Sequence, residues 1–243
     1  MRERFDLDLK TLDRFTVLFH GAFGAGKTAL LGDMLRYESK QGPVRYLNIK
    51  GEDGQLSIAN FGLGDIGETV DTLNDFRSAL DDYKKAGVRA LAIDGGKWFG
   101  KMVVRHVCGD KTPTVGGASQ DWTKIHGEFE STIISLRSIA PIVAFASSSD
   151  RSLDQISGEI SLTPDMPGRQ AAGVAGMFDF VLVVRAQTIR KGEIKRWIDT
   201  EPAANTIIRQ RLPRPLPSEI PIPNGGGGWA NFVNAIQKSL EVK

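Results

Sequence analysis

Residues 21–28 read Gly-Ala-Phe-Gly-Ala-Gly-Lys-Thr, a complete G-x-x-x-x-G-K-[ST] pattern. These residue types in this order suit a nucleoside polyphosphate. Gly21, Gly24 and Gly26 let backbone N–H groups close around phosphate oxygens, where side chains would clash. Ala22, Phe23 and Ala25 complete the loop. A helix starting behind it adds partial positive charge at the same spot. Lys27, a solvent-facing phosphate ligand on this reading, is expected to reach the β- and γ-phosphates, and the Thr28 hydroxyl to bind Mg²⁺. The cofactors this predicts are ATP and Mg²⁺.

Two further acidic positions bear on the same chemistry. Asp94 ends the apolar run Leu91-Ala92-Ile93-Asp94. A buried strand that delivers an acid to the sheet's C-terminal edge is what a Mg²⁺ shell needs. Asp94 also stands before Gly95-Gly96 and so could simply begin a turn. The residue after it is Gly95, so no second acid is available there as a base. Another carboxylate lies in Lys50-Gly51-Glu52-Asp53-Gly54, where Glu52 is the better candidate and Asp53 the reserve. Acidic turns are also common as solvated structure.

The surrounding elements must deliver these groups to one edge. The β-rich run Phe15 to His20 precedes the loop, and a helix with Leu30, Leu31, Met34 and Leu35 over residues 29–40 follows. Gly42-Pro43 ends that helix and introduces a strand at 44–49. Val70, Leu73, Phe76, Leu80 and Tyr83 predict a helix over 70–86, stopped by Gly87. Strands follow at 90–94, 141–146 and 178–186, with a helix at 121–139. A hairpin turn at Lys191-Gly192 returns into a strand at 194–199, and a short strand is expected at 206–208. Residues 106–120 and 147–168 read as loops. Alternation of strands and helices predicts an α/β fold with a mostly parallel central sheet flanked by helices and a C-terminal β-hairpin region. The organisation is an N-terminal segment 1–13, a core 14–212, and a tail 213–243. Five prolines and four consecutive glycines within 212–228 make that tail linker-like, with a small helix at 230–240.

Bulk composition bounds the function. A net charge of +2 on 243 residues gives no global drive toward nucleic acid or membrane, so DNA contact must come from local patches. The single cysteine, Cys108, rules out an internal disulfide framework. Residues 1–14 are mostly charged and no apolar run spans a bilayer, so the expectation is a chain without secretory leader or membrane segment, in the cytoplasm (the host's, if phage-encoded). His20, His106 and His126 lack partners at zinc-ligand spacing.

The chain resembles the phage-type members of the RecA-like P-loop NTPases, a group of nucleotide-binding and single-strand annealing proteins. The likeness covers roughly residues 14–212. It is carried by GAFGAGKT at 21–28, GED at 51–53, LAID at 91–94, TPDMPGRQ at 163–170, FDFVLVVR at 178–185 and IIRQRLP at 207–213. The resemblance implies a RecA-like fold and an ATPase acting on single-stranded DNA in recombination or replication. It also implies a homo-oligomeric ring or filament and partnership with a single-strand-binding protein. It assigns Glu52, after the second strand, the role of water-activating base. It places Arg209 and Arg211 at a subunit boundary, and in a strand the two would share a face. Where such proteins often carry a His or Gln sensor, this chain has Ser147-Ser148-Ser149.

The two mobile loops that contact DNA in that group correspond here to 106–120 and 147–168. Nearby cations are Lys97, Lys101, Arg105, Lys111, Lys124, Arg151 and Arg169, and Trp98, Phe99 and Trp122 offer faces for base stacking. Arg185, Arg190, Lys191, Lys195 and Arg196 form a second basic patch, readable as a wet hairpin. Other readings of the same motifs are a nucleotide-gated scaffold with little hydrolysis, a helicase or packaging motor, and a small-molecule kinase.

Overall fold

The computed structural model describes residues 13–52, 54–109, 111, 119–153, 160–166, 173, 176–190, 192–202 and 205–241. In chain order these form β1 (Phe15–Gly21), α1 (Lys27–Glu38), β2 (Val44–Ile49), α2 (Gln55–Ala59), β3 (Gly67–Val70), α3 (Leu73–Lys85), β4 (Ala90–Asp94) and α4 (Gly96–Cys108). Then come α5 (Ser119–Leu136), β5 (Ile142–Leu153), β6 (Ile160–Pro164), β7 (Phe180–Arg190), β8 (Glu193–Asp199), β9 (Arg209–Gln210), β10 (Glu219–Pro221) and α6 (Gly228–Leu240). The strands join in the order β10-β8-β7-β1-β5-β4-β2-β3, with β6 beside β5 and β9 beside β7. The β7-β1-β5-β4-β2-β3 stretch is parallel and β8 and β10 add antiparallel. The expected α/β architecture is therefore observed.

Central position explains the strand sequences. All seven residues of β1 and all five of β4 are buried. A parallel strand covered on both faces reads as a continuous apolar run rather than an alternation. Phe15, Val17 and Phe19 point to the face covered by α1 and α6, and Leu18 to the face covered by α3, α4 and α5. On that second face Thr16 and His20 are buried polar residues. Thr16 is satisfied by Asp179, to which its hydroxyl donates at 3.0 Å. Helix α3 shows the amphipathic pattern directly, burying Leu73, Phe76, Leu80 and Tyr83. It starts at Thr72, whose hydroxyl oxygen accepts from the Asp75 amide at 3.1 Å.

Several elements differ from the sequence reading. Residues 96–108 form α4, although Gly95-Gly96 was readable as a turn. Phe99 lies wholly in the core against Phe76, Phe129 and Phe145, so it offers no stacking face to DNA. Strand β5 continues past Ala146 to Leu153 and pairs with β6, so part of the polar 147–168 segment is a hairpin above the sheet. Polar residues can extend there because two strands that leave the sheet need no apolar face. The short strand expected at 206–208 is a single bridge at Thr206, and the pairing with β7 falls at 209–210 instead. Elements α2 and β3 are too short to show a period. Residues 110, 112–118, 154–159 and 167–168 of the two proposed DNA loops lie outside the described residues, as do Asp53, Arg169 and Lys191. Among the described residues no helix is long and apolar enough to cross a membrane.

The largest correction concerns the tail. Residues 219–221 add β10 to β8, and α6 sends Trp229, Phe232, Ile236 and Leu240 into the core. Trp229 stacks on Phe15 with ring centroids 5.9 Å apart, and Phe232 meets Phe19 and Phe180 edge-on. The glycine run does not act as a linker. Gly225, Gly226 and Gly227 all have positive φ, at 92°, 115° and 97°, which turns the chain into α6. Asp33 on α1 then caps that helix, accepting from the amides of Gly227 at 2.9 Å and Trp229 at 2.8 Å.

Each of these four large side chains gains about 1.5–3 kcal/mol from burial. Their sum is comparable to the net stability of a whole domain. A chain ending at residue 212 is expected to show no cooperative urea transition by circular dichroism; a transition matching the full chain's would refute the packing role of α6.

Candidate functional site

The sheet delivers the candidate residues to one edge. In the β1–β5–β4 register, Gly21 stands opposite Ser148, and Asp94 opposite Ala146, so the loop after β1 and the acid ending β4 emerge together. Gly24 and Gly26 have φ of 76° and 102°, a left-handed backbone that an alanine would strain. At Gly21 the reason is contact: a Cβ there would lie 2.3 Å from the Val184 carbonyl oxygen. Helix α1 begins at Lys27, directly behind the loop, so its N-terminal amides face the phosphate position.

Thr28 and Asp94 meet. The Thr28 hydroxyl donates to Asp94 Oδ2 at 2.6 Å. Tyr46 on β2 donates to the same oxygen at 3.3 Å. Asp94 is buried, and burial pushes its carboxyl above the usual range, while the Thr28 hydrogen bond, the Lys27 charge and the Tyr46 hydroxyl pull it back. Gly54 closes over this group. A Cβ on it would lie 2.3 Å from the Tyr46 hydroxyl, 2.8 Å from Asp94 Oδ2 and 3.0 Å from Thr28 Cγ2. A hydroxyl and a carboxylate touching at a phosphate loop are hard oxygen donors, which fits Mg²⁺ and not a softer metal. Thr28 and Asp94 would hold that ion, and when bound it would neutralise charge on the β- and γ-phosphate oxygens.

Lys27 is not solvent-facing in this structure. It is half-buried and donates to the carbonyls of Gly21 and Ala22, both at 2.9 Å. Burial lowers its pKa, while Asp94 and Glu52 oppose that shift by attraction. Glu52 therefore stands within electrostatic reach of the lysine. It shares a cavity of about 380 Å³ with Phe23, Gly24, Gly26, Lys27 and Thr28. Its turn is held by Asn48 on β2, whose amide donates to the Glu52 carbonyl at 2.9 Å. Gly51, φ 107°, is needed there because a side chain would strike the Trp98 ring. Phe23, at the loop tip, is 97% exposed. The structure thus brings Gly21 to Thr28, Glu52 and Asp94 into one site.

Arg209 and Arg211 are not in it. Arg209 pairs with Val181, which stands beside Leu18, below Gly21 along β1. Arg211 lies lower still, donating to the Gly176 carbonyl at 2.8 Å and facing Asp179 at 3.6 Å. At about 3.3 Å per strand residue, the pair sits roughly 10–17 Å from its own phosphate loop. Strand β9 ends at Gln210, yet both guanidiniums reach the neighbourhood of Gly176.

Supporting residues escaped the sequence reading. Tyr46 and Asn48 were legible only as an alternating polar pair in V-R-Y-L-N-I just before the acidic turn. The serines that end the buried part of β5 serve structure. Ser147 and Ser148 donate to the carbonyl and carboxylate of Asp165 at 3.3 and 3.1 Å, and Lys97 pairs with the same carboxylate at 2.9 Å. Among the described residues no group of three or more potential ligands gathers for a metal of the zinc type. Trp98 packs on Gly51 and carries Lys101 Nζ 4.1 Å from its ring.

His20, immediately before the loop, is fully buried. Its Nε2–H donates to the Ile207 carbonyl at 2.9 Å, which leaves Nδ1 to accept from the Ser149 hydroxyl, also at 2.9 Å. Burial lowers its pKa to about 4. Between about pH 6.5 and 4 the unfolded chain therefore binds a proton that the native one refuses. Stability should fall through that window by about 3 kcal/mol as pH drops. Urea titrations at pH 7 and pH 4 read this, and His20→Gln should remove that part of the slope; an unchanged slope in the variant would contradict the assignment.

Lys27→Ala is expected to abolish tight ATP binding in calorimetry. Because two carbonyl contacts go with the side chain, a loss of about 1–2 kcal/mol of stability should accompany it. Wild-type affinity in this variant would rule the phosphate site out.

A comparison with curated proteins gave no match. Among protein families, the one described as AAA domain matches residues 13–212, a span that holds the phosphate loop, the acidic turn, Asp94 and both arginines. The match reaches P-loop ATPases as a class and goes no further toward the phage-type RecA-like group. With most of its length inside that span, and with its nucleotide-site motifs at the positions just described, the chain belongs to the AAA-domain family of P-loop ATPases.

Proposed function

We propose that this protein is a Mg²⁺-dependent, RecA-like ATPase that acts on single-stranded DNA in annealing, strand exchange or replication, working as a homo-oligomer alongside a single-strand-binding protein. The observation that carries the ATPase half is the 2.6 Å contact between Thr28 and Asp94 beside Lys27 and Glu52. Glu52 acts as the base. It faces the cavity that the γ-phosphate would enter, and as a carboxylate it accepts a proton from the attacking water while Lys27 steadies the developing charge.

The DNA half is supported by the ordered motifs and by cations at the same sheet edge. Lys97, Lys101 and Arg105 project from α4, and Arg151 is exposed on the extended part of β5. Arg105 and Lys50 share Asp71, at 3.5 and 2.6 Å, so part of this charge is already matched. Arg209 and Arg211 are proposed to serve a neighbouring subunit's nucleotide, a role that suits their distance from their own loop. One observation favours a second reading, a nucleotide-gated scaffold with little hydrolysis: Ser147, Ser148 and Ser149 are all engaged in structural bonds where a sensor would stand.

Steady-state ATP turnover with and without single-stranded DNA separates the two readings. Stimulated turnover is expected, and none at saturating DNA would favour the scaffold. Glu52→Gln should keep ATP binding and lower turnover by on the order of 10²-fold or more. Normal hydrolysis in Glu52→Gln together with loss in Asp53→Asn would move the role to Asp53. For the arginines, Arg211→Ala and Lys27→Ala chains are each expected to be inactive, and mixing them should restore part of the activity. A finger supplied in trans contributes on the order of 10³-fold. Full activity of Arg211→Ala alone would exclude it.

A further inference from the structure

The hairpin of β7 and β8 carries cations that read in sequence as one solvated patch. The structure divides them. Arg185 pairs with Asp199 at 2.5 Å, Arg190 with Glu193, and Lys195 with Glu219 at 2.6 Å. Arg196 differs. Its Nη1 donates to the neutral amide oxygen of Asn224 at 3.2 Å, and among the described residues no carboxylate pairs with it.

Its side chain also lies against the phosphate loop at Gly26. A Cβ at Gly26 would lie 3.0 Å from Arg196 Cδ and 3.3 Å from Nε. Gly26 is the residue directly before Lys27, at the N-terminus of α1. The guanidinium is thus brought beside the last glycine of the phosphate loop. Glu52 and Asp94 come from β2 and β4, on one side of β1 in the strand order, while Arg196 comes from β8 on the other.

The arginine is held there. The Ile222 amide donates to the Arg196 carbonyl at 2.9 Å. Residues 223–226 form a tight turn, closed by the Gly226 amide on the Pro223 carbonyl at 3.3 Å, which presents Asn224. The turn is anchored at its far end where Gly227 donates to Asp33 on α1. The same helix that carries Lys27 and Thr28 therefore fixes the partner of Arg196.

We propose that Arg196 is a nucleotide-contacting residue supplied in cis, binding the α- and β-phosphates on the side leading to the ribose. This rests on the reading of residues 21–28 as the polyphosphate site. With the γ-phosphate placed toward Thr28, Asp94 and Glu52, the phosphates nearer the ribose face β8. A planar, permanently charged fork suits two oxygens of adjacent phosphates. Among the described residues no carboxylate pair has to be broken for Arg196 to take a phosphate. The pairing with Asn224 orients it without neutralising it.

The test is equilibrium titration of Mg·ADP and Mg·ATP into wild type, Arg196→Ala, Arg196→Lys and Lys27→Ala, with thermal melts of each. Arg196→Ala should weaken ADP and ATP alike by about tenfold, with an unchanged melt, and Arg196→Lys should fall between. Wild-type ADP affinity in Arg196→Ala would overturn the contact. Weakening of ATP alone would overturn the assignment to the α- and β-phosphates. Wild-type affinity in Lys27→Ala, or no binding by wild type at all, would instead defeat the phosphate-loop reading itself, so the two failures are distinguishable.

Discussion

The site depends on one buried carboxylate. Asp94 ends an apolar strand and is almost wholly removed from water. An ionised carboxylate in that position costs several kcal/mol unless neighbours satisfy it. Thr28 and the charge on Lys27, both from the first turn of α1, and Tyr46 from β2 do so. The arrangement works only if β1 and β4 end at the same edge, and the parallel register through β5 ensures this. Gly54 completes it by having no side chain where one would collide with Tyr46, Asp94 and Thr28. Phosphate loop, acid and acidic turn are therefore a single packed unit.

Helix α1 transmits this unit to the rest of the molecule. Its first turn carries Lys27 and Thr28. Asp33 caps α6, and Glu38, buried at the last turn, accepts from the Trp229 indole at 3.1 Å and pairs with Arg89 at 3.3 Å. The C-terminal segment is thereby tied to the helix that follows the phosphate-loop motif. The residues that fix α6 and the turn holding Asn224 thus lie on the helix that carries Lys27 and Thr28.

How much of this was legible follows from what each feature rests on. The phosphate loop was readable because backbone conformation dictates its residue types: glycine where φ is positive, lysine and threonine where chemistry needs them. Asp94 and Glu52 stood out as acids following apolar strand runs, a pattern that solvated turns also show, and the structure brings both beside the phosphate loop. The central strands announced themselves as apolar runs. The misses are tertiary. Phe99 looked like a stacking face because the glycines flanking it masked α4, and only its packing among Phe76, Phe129 and Phe145 shows it to be core. The glycine run at 225–228 has linker composition, yet Asp33, almost two hundred residues away in sequence, turns it into a helix cap. Arg196 was one of five similar cations in sequence, and only the pairing of Arg185, Arg190 and Lys195 with carboxylates sets it apart from them. For Arg209 and Arg211 the local spacing was legible, whereas their place low on the sheet, with Arg211 bonded to Gly176 and facing Asp179, emerges only from the pairing of β9 with β7.

The central claim is that Thr28 and Asp94 hold one divalent cation together with a nucleotide at the phosphate loop. Electron paramagnetic resonance of Mn²⁺, titrated into wild type and Asp94→Asn with and without ADP, tests it most directly. The account predicts tight Mn²⁺ binding to wild type only when nucleotide is present, and clear weakening in Asp94→Asn. Equal Mn²⁺ binding by the two proteins, or binding indifferent to nucleotide, would contradict it.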